Sequence, residues 1–285
     1  MKKTLFHIIL FSGIFSLQSC AQTQPVTSPP APAPAINKDS FLLEKTIPGN
    51  FTAMDVDITN NIYLITAGNQ LKKYNARGDS MGIFNDVKKY GNPSLIDVTN
   101  PLKVLLYYKN FSTVVMLDRL LSQRNSINFR QQNIFTVQAI ATSYDNNVWL
   151  FDEQDFKLKK IDETGRLLQE STDWRMLMND VPSPQTIIDN NNFVYLYDEE
   201  KGFYIFDYYG TFKNTLPFTG WKNIAVADGR ITGFTEKKLH VYMLQSLHER
   251  IYTLPSFFKD YISVKAVNGK LYVLKNDGLE IYSIL

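Results

Sequence analysis

Cysteine and histidine are almost missing from this chain of 285 residues, which has one of the former, Cys20, and three of the latter. A lone thiol excludes a disulfide within the chain, so the fold must be held by its core. Beyond the N-terminal segment the only histidines are His240 and His248, so chemistry built on imidazole has little to draw on. No charge of one sign dominates, since 30 Lys plus Arg face 28 Asp plus Glu. Two of those bases, Lys2 and Lys3, precede the only long apolar run; without them the balance is 28 against 28, formally neutral. A neutral body lacks the electrostatic footprint of a nucleic-acid binder. Long hydrophobic runs are scarce too: Leu5 to Leu17, broken by His7, Ser12, Gly13 and Ser16, is too short to span a bilayer permanently. Stretches of helical period are absent as well. What is abundant is aromatic, 16 Tyr and 19 Phe within a 44% hydrophobic composition, which favours β-structure with a large core.

The N-terminus reads as a leader. Lys2 and Lys3 form a positive region ahead of the apolar run, and Leu17-Gln18-Ser19-Cys20 closes it. That tetrapeptide resembles the lipobox cut by the lipoprotein signal peptidase, although Gln18 departs from the usual small or β-branched choice. The resemblance implies removal of residues 1–19 and lipidation of Cys20, which consumes the otherwise unpaired thiol. More than one acyl chain then provides stable anchoring. Residues 20–40 continue as a spacer with Pro25, Pro29, Pro30, Pro32 and Pro34. At about 3.1 Å per residue in the polyproline conformation it reaches roughly 60 Å from the membrane. Ala21 rather than Asp after the cysteine resembles outer-membrane sorting. The expected location is therefore the periplasmic leaflet of the outer membrane, with surface display as the alternative.

Residues 41–285 repeat themselves. A turn of Asn, Asp or Gly followed by an apolar strand recurs as NNIYL (60–64), NPLKVLL (100–106), NNVWL (146–150), NNFVYL (191–196), DGRITG (228–233) and NGKLYV (268–273). With Tyr63, Leu105, Trp149, Tyr195, Thr232 and Tyr272 as equivalent positions, the period is in the low forties. Such a period built from β-signals predicts an all-β, six-bladed β-propeller. Innermost strands are expected near 94–99, 138–142, 185–189 and 223–228, and tight turns ending in Gly after several third strands, as in YNARG (74–78), IDETG (161–165) and FDYYG (206–210). The sixth repeat stops after its third strand while FLLEKTI (41–47) stands alone, so the N-terminal strand is expected to close the last blade. The copies at 140–165 and 187–210 resemble the NHL-type and TolB-like six-bladed propellers found in Bacteroidota-type envelope lipoproteins. The resemblance implies a fold and carries over no catalytic residue.

No enzyme signature stands out. There is no Ser-x-Asp-x-Gly-x-Thr-Trp turn of a sialidase, no phosphate-cradling glycine loop and no nucleophile spaced with a base. Asp57, Asp97, Asp189, Asp228 and Asn268 recur near the ends of the innermost strands, either as turn formers or as a ring for a cation, and their repetition favours the turn. Acidic clusters at 152–155 and 198–200 mark adjacent hairpin tips and supply the alternative reading, a glycan-active hydrolase or lyase using Asp152, Asp155, Asp198 or Glu199. The primary expectation is a non-enzymatic recognition or scaffold protein, monomeric in isolation, with no cofactor and no metal. The segments joining consecutive blades each hold an aromatic, and most hold a base. Tyr90, Phe135, Trp174 with Arg175, Trp221 with Lys222, and Phe257 with Phe258 are the candidate binding residues, and the run at 173–184 is the most apolar. These rings either pack between blades or form a face for an envelope protein or glycan.

Overall fold

The computed structural model describes residues 34–36 and 38–285; the leader, Cys20 and most of the proline-rich spacer lie outside the described residues. Six four-stranded antiparallel sheets follow one another along the chain. Their innermost strands, Phe51–Val56, Leu95–Asn100, Val137–Thr142, Thr186–Asn190, Lys222–Ala227 and Tyr261–Val267, adjoin in a closed ring, one per blade, from blade 1 to blade 6. This is the six-bladed β-propeller that the repeat implies.

The recurrent phrase has a local cause. Asn60, Asn146, Asn191, Asn192, Asp228 and Asn268 all adopt positive φ, a region Asn and Asp tolerate better than other side chains, at the turn between first and second strands. The second strand then runs through the middle of its sheet with blades on both sides. Every residue of Lys103–Tyr108 and of Val148–Asp152 is accordingly buried. Register confirms the equivalence read from the sequence: Tyr63, Leu105, Trp149, Tyr195, Thr232 and Tyr272 pair with Asp55, Asp97, Ala141, Ile188, Ala225 and Lys265 of the innermost strands.

Closure is made by the N-terminal strand. Phe41–Pro48 pairs with Gly278–Ile284 from Phe41 opposite Ile284 to Pro48 opposite Gly278, supplying the outer strand of blade 6. Just before it, residues 34–36 already run along the outer strand of blade 5. The Ile36 N–H donates to the Thr253 carbonyl at 3.0 Å, and the Thr253 N–H to the Pro34 carbonyl at 2.9 Å. The last residues read as spacer thus belong to the seam.

Apolar side chains gather into six clusters, one at each interface between neighbouring blades. Adjacent twisted sheets leave a gap near the connectors that a large ring fills. Phe51 enters the cluster between blades 6 and 1, Tyr90 that between 1 and 2, and Phe129 that between 2 and 3. Trp174, Trp221 and Phe258 enter the remaining three.

Candidate binding face and axial cavity

Connectors between blades, and the hairpins joining second to third strands, share one face of the propeller. A 3-10 turn at Trp174–Met176, capped by the Asp173 carboxylate accepting from the Arg175 N–H at 2.9 Å, fixes which way each side chain of its connector points. Trp174 goes inward. Its Nε1 donates to Ser171 Oγ at 3.0 Å, and its ring stacks on Phe206 at 4.7 Å and lies 4.5 Å from Phe151. Trp221 stacks on Phe218 at 4.7 Å, and its backbone N–H donates to the Tyr197 hydroxyl at 2.7 Å. Tyr90 and Phe258 are buried as well, and Phe257 is half-buried against Tyr282, 4.9 Å away. The exposure that contact requires is therefore not met by Tyr90, Trp174, Trp221 and Phe258, which the interfaces between blades absorb, and is met only in part by Phe257.

Three of the candidates do reach solvent. Phe135 stays 49% exposed, since Phe129 and Ile134 take the interior positions of its connector. Arg175 is held by Asp173, Nη2 to Oδ2 at 2.5 Å, and Lys222 lies 3.7 Å from Glu199. Within 173–184 the exposed apolar residues are Met176 and Leu177.

Neighbouring connectors differ in their charge. Lys88, Lys89, Lys109 and Arg130 are exposed around blades 1 to 3, and none makes an ion pair among the described residues. The Lys89 ammonium sits 4.6 Å from the Tyr90 ring centre, and Lys109 donates to Gln138. Phe111, 49% exposed, leans against Gly91, where its ring would crowd any side chain. Lys109 and Phe111 escaped the sequence reading because they sit in a hairpin between second and third strands, not in a connector.

The acidic hairpin tips are engaged internally. Asp152, buried, accepts from the Lys159 ammonium at 2.7 Å, and Asp155 binds the same ammonium. Desolvation opposes the Lys159 charge, but its two carboxylate partners outweigh it and hold its pKa above the ordinary lysine value. Asp198 accepts the Ser183 N–H at 2.8 Å and the Glu200 N–H at 2.9 Å. None of Asp152, Asp155, Asp198 and Glu199 borders the axial cavity. His240 is tied to Glu249 Oε1 through Nδ1 at 2.7 Å and to Thr235 through Nε2 at 3.1 Å.

The recurrent Asp and Asn side chains near the innermost strands divide by role. Asp57 is a turn former, its Oδ1 accepting the N–H groups of Thr59 at 2.8 Å and Asn61 at 3.0 Å. Asp97, Asp189 and Asn268 staple blades together: Asp97 accepts the Thr142 N–H while also holding the Thr99 N–H of its own turn at 2.7 Å, Asp189 accepts Trp149 Nε1 at 2.9 Å, and Asn268 donates to the Ile58 carbonyl. Asp228 is exposed near Arg230. The same girdle includes Asp55, which the repeat of aspartates near strand ends does not single out. Asp55 accepts the Val98 N–H of the next blade at 3.1 Å and pairs with Lys265 of the preceding one. Burial pushes the Asp55 carboxyl above its ordinary pKa, more strongly than Lys265 draws it down. Among the described residues, no group of three His, Cys, Asp or Glu side chains is placed to hold a metal ion.

Inside this girdle lies a cavity of about 760 Å³, bordered by the innermost strands of all six blades and continuing between blades 5 and 6. Its size falls within the range of small-molecule sites.

Fold and ring closure define the chain as a six-bladed β-propeller. No family model matches it, and neither does any curated protein. Solved structures do. It is similar to a catalytically inactive virginiamycin B lyase from Staphylococcus aureus with quinupristin, at TM-score 0.60 and 12% identity over 86% of this chain and 89% of that one. The Neurospora crassa Pan2 WD40 domain aligns at TM-score 0.59 and 9% identity, covering 88% of this chain and 97% of that one. BamB from Moraxella catarrhalis aligns at TM-score 0.50 and 13% identity, covering 82% and 83%. At these identities the likeness is one of fold alone.

Proposed function

We propose that this propeller is a lipid-anchored recognition module of the cell envelope, of the NHL-type or TolB-like kind, that works by binding and not by catalysis. The observation that carries the reading is the arc of Lys88, Lys89, Lys109 and Arg130 interleaved with Phe111 and Phe135. These side chains are exposed, and the four cations are free of ion pairs among the described residues, on segments whose neighbouring aromatics are locked in the core. Cations beside apolar rings suit an acidic protein or polymer surface. Because Tyr90 and Phe129 clamp these segments, little loop entropy is lost on contact. The binding centre accordingly moves from 173–184 to the connectors around blade 2. Cys20 supplies the anchor and the proline-rich spacer the reach, facing the periplasm from the outer membrane.

The test is a cross-linked pull-down from membranes with the charge-reversed variant Lys88→Glu, Lys89→Glu, Arg130→Glu, combined with Phe135→Ala. Loss of the principal acidic partner from a variant with unchanged thermal melting is expected, as is release of a Cys20→Ser variant into the soluble fraction. An unchanged set of partners would overturn the face, and a membrane-bound Cys20→Ser protein would overturn the anchor.

A further inference from the structure

The axial cavity has a chemistry of its own, separate from the connector face. Its borders carry four carboxylates, Asp55, Asp97, Asp189 and Asp228, against two cations, Lys265 and Arg230. Around the axis the carboxylates of Asp55 and Asp97 are neighbours, and the Lys265 ammonium is bound to Asp55. Among the described residues Asp97 is held by N–H groups alone, from Thr99 at 2.7 Å and from Thr142. A carboxylate offers about four acceptor positions, so Asp97 has two unused. Beside it the Thr142 hydroxyl is buried without a partner among the described residues. The rest of the wall is different in kind. Between blades 5 and 6 it is formed largely by the hydrocarbon side chains of Phe234, Leu239, Leu254, Phe258 and Ile284, together with Ser40 and Leu285. A site that is largely hydrocarbon along one arm and has more carboxylates than cations at the axis selects for a ligand with the opposite pattern.

We propose that the axial cavity binds an organic cation with an apolar body, an amine whose ammonium lies against Asp97 and Asp55 while its hydrocarbon runs into the wedge between blades 5 and 6. Inorganic divalent ions fit poorly, since among the described residues no third His, Cys, Asp or Glu side chain converges there. A fatty acid fits poorly as well, because its carboxylate would face an excess of like charge.

Three probes of equal length separate charge from hydrophobicity: decylamine, 1-decanol and decanoate, titrated calorimetrically into the folded protein at neutral pH and below their aggregation limits. Decylamine is expected to bind more tightly than decanoate by about tenfold or more, the scale of a single partly desolvated charge contact, with decanol between them. Asp97→Asn should reduce decylamine to the affinity of decanol. Lys265→Gln should strengthen decylamine binding several-fold, a gain that misfolding does not produce. Ala225→Phe, which narrows the cavity, should weaken all three. Equal binding of the probes, preference for decanoate, no binding of any of them, or an unchanged decylamine affinity in Lys265→Gln would each overturn the proposal.

Discussion

A single ring decides whether a connector is a surface or a plug. DWRMLM (173–178) looks like an exposed apolar run, because composition does not say which of its side chains faces in. The Asp173 cap and the 3-10 turn settle that by sending Trp174 inward and leaving Arg175 and Met176 outside. Replacing Trp174 by Ala removes a ring in contact with Phe151 and Phe206 and takes one of two N–H donors from the Ser171 hydroxyl, leaving that of Leu158. The expected loss is about 3–5 kcal/mol in a urea denaturation series, the range for large aromatic truncations in cores. Phe135→Ala, at an exposed position of the preceding connector, should stay within about 0.5 kcal/mol. Similar losses for the two variants would mean that burial does not distinguish these rings. The sequence could place an aromatic in each connector but could not distinguish Phe129 from Phe135, six residues apart in one connector, because both carry the same ring.

At the scale of the element, the turns from third to fourth strand repeat one device. In blades 1 to 4 the first residue, Asn75, Asp118, Asp162 or Asp207, accepts through one Oδ1 the N–H groups two and four residues on, all at 2.9–3.0 Å. Three residues on, Gly78, Gly165 and Gly210 take positive φ, and blade 2 puts Leu121 there at φ 64, retained because its side chain joins the core between blades 1 and 2. The glycines made these turns legible in the sequence; blade 2 hid its turn behind a leucine. Donors to the carboxylate favour its charged form. The Thr164 hydroxyl, with the N–H groups of Arg166 and Thr164, brings Asp162 down to about 2. Asp118 is lowered by the Ser122 and Leu120 N–H groups, and Asp207 by Lys213 and its turn despite partial burial. A lowered carboxylate stabilises the fold fully above its ordinary pKa near 3.8, and that contribution is lost as pH falls from there through about 2. Asp55 and Asp189, raised by burial, have the opposite sign and do not cause acid unfolding. Changing Asp118, Asp162 and Asp207 together to Asn, the residue blade 1 already uses, should lower the neutral-pH melting temperature modestly, because the contribution of the charged forms is removed. It should also flatten its fall between about pH 4 and pH 2. A parallel acid fall in both proteins would place the acid sensitivity elsewhere.

Across the whole molecule, stability depends on closing a ring whose first and last strands are more than two hundred residues apart. That closure was legible, because the final repeat lacks a fourth strand and 41–47 lacks a blade. The axial cavity was not, since it exists only when all six innermost strands converge and no single repeat carries its pattern. Two contacts of different strength make the seam. Residues 34–36 and Ser40 add a few backbone bonds, to Thr253 and Leu285, whereas Phe41–Pro48 covers the full length of Gly278–Ile284 and places Ile47 in the core between blades 6 and 1. Glu44 reinforces that strand through Lys270 at 2.6 Å and through Ser283. A chain starting at Phe41 should therefore remain a cooperative monomer with a modestly lower melting temperature. One starting at Gly49 leaves a long strand edge open and apolar side chains uncovered, a template for association between copies. It should lose its sharp melting transition and elute as aggregates in size-exclusion chromatography. Strand addition restores such edges when the missing segment is supplied separately. A synthetic peptide of residues 38–48 should return the truncated protein to a monomeric, cooperatively melting complex, while the same peptide with Ile47→Asp should not. If the chain starting at Gly49 melted like the full-length protein, the N-terminal strand would be an ornament on a ring that the other strands close without it.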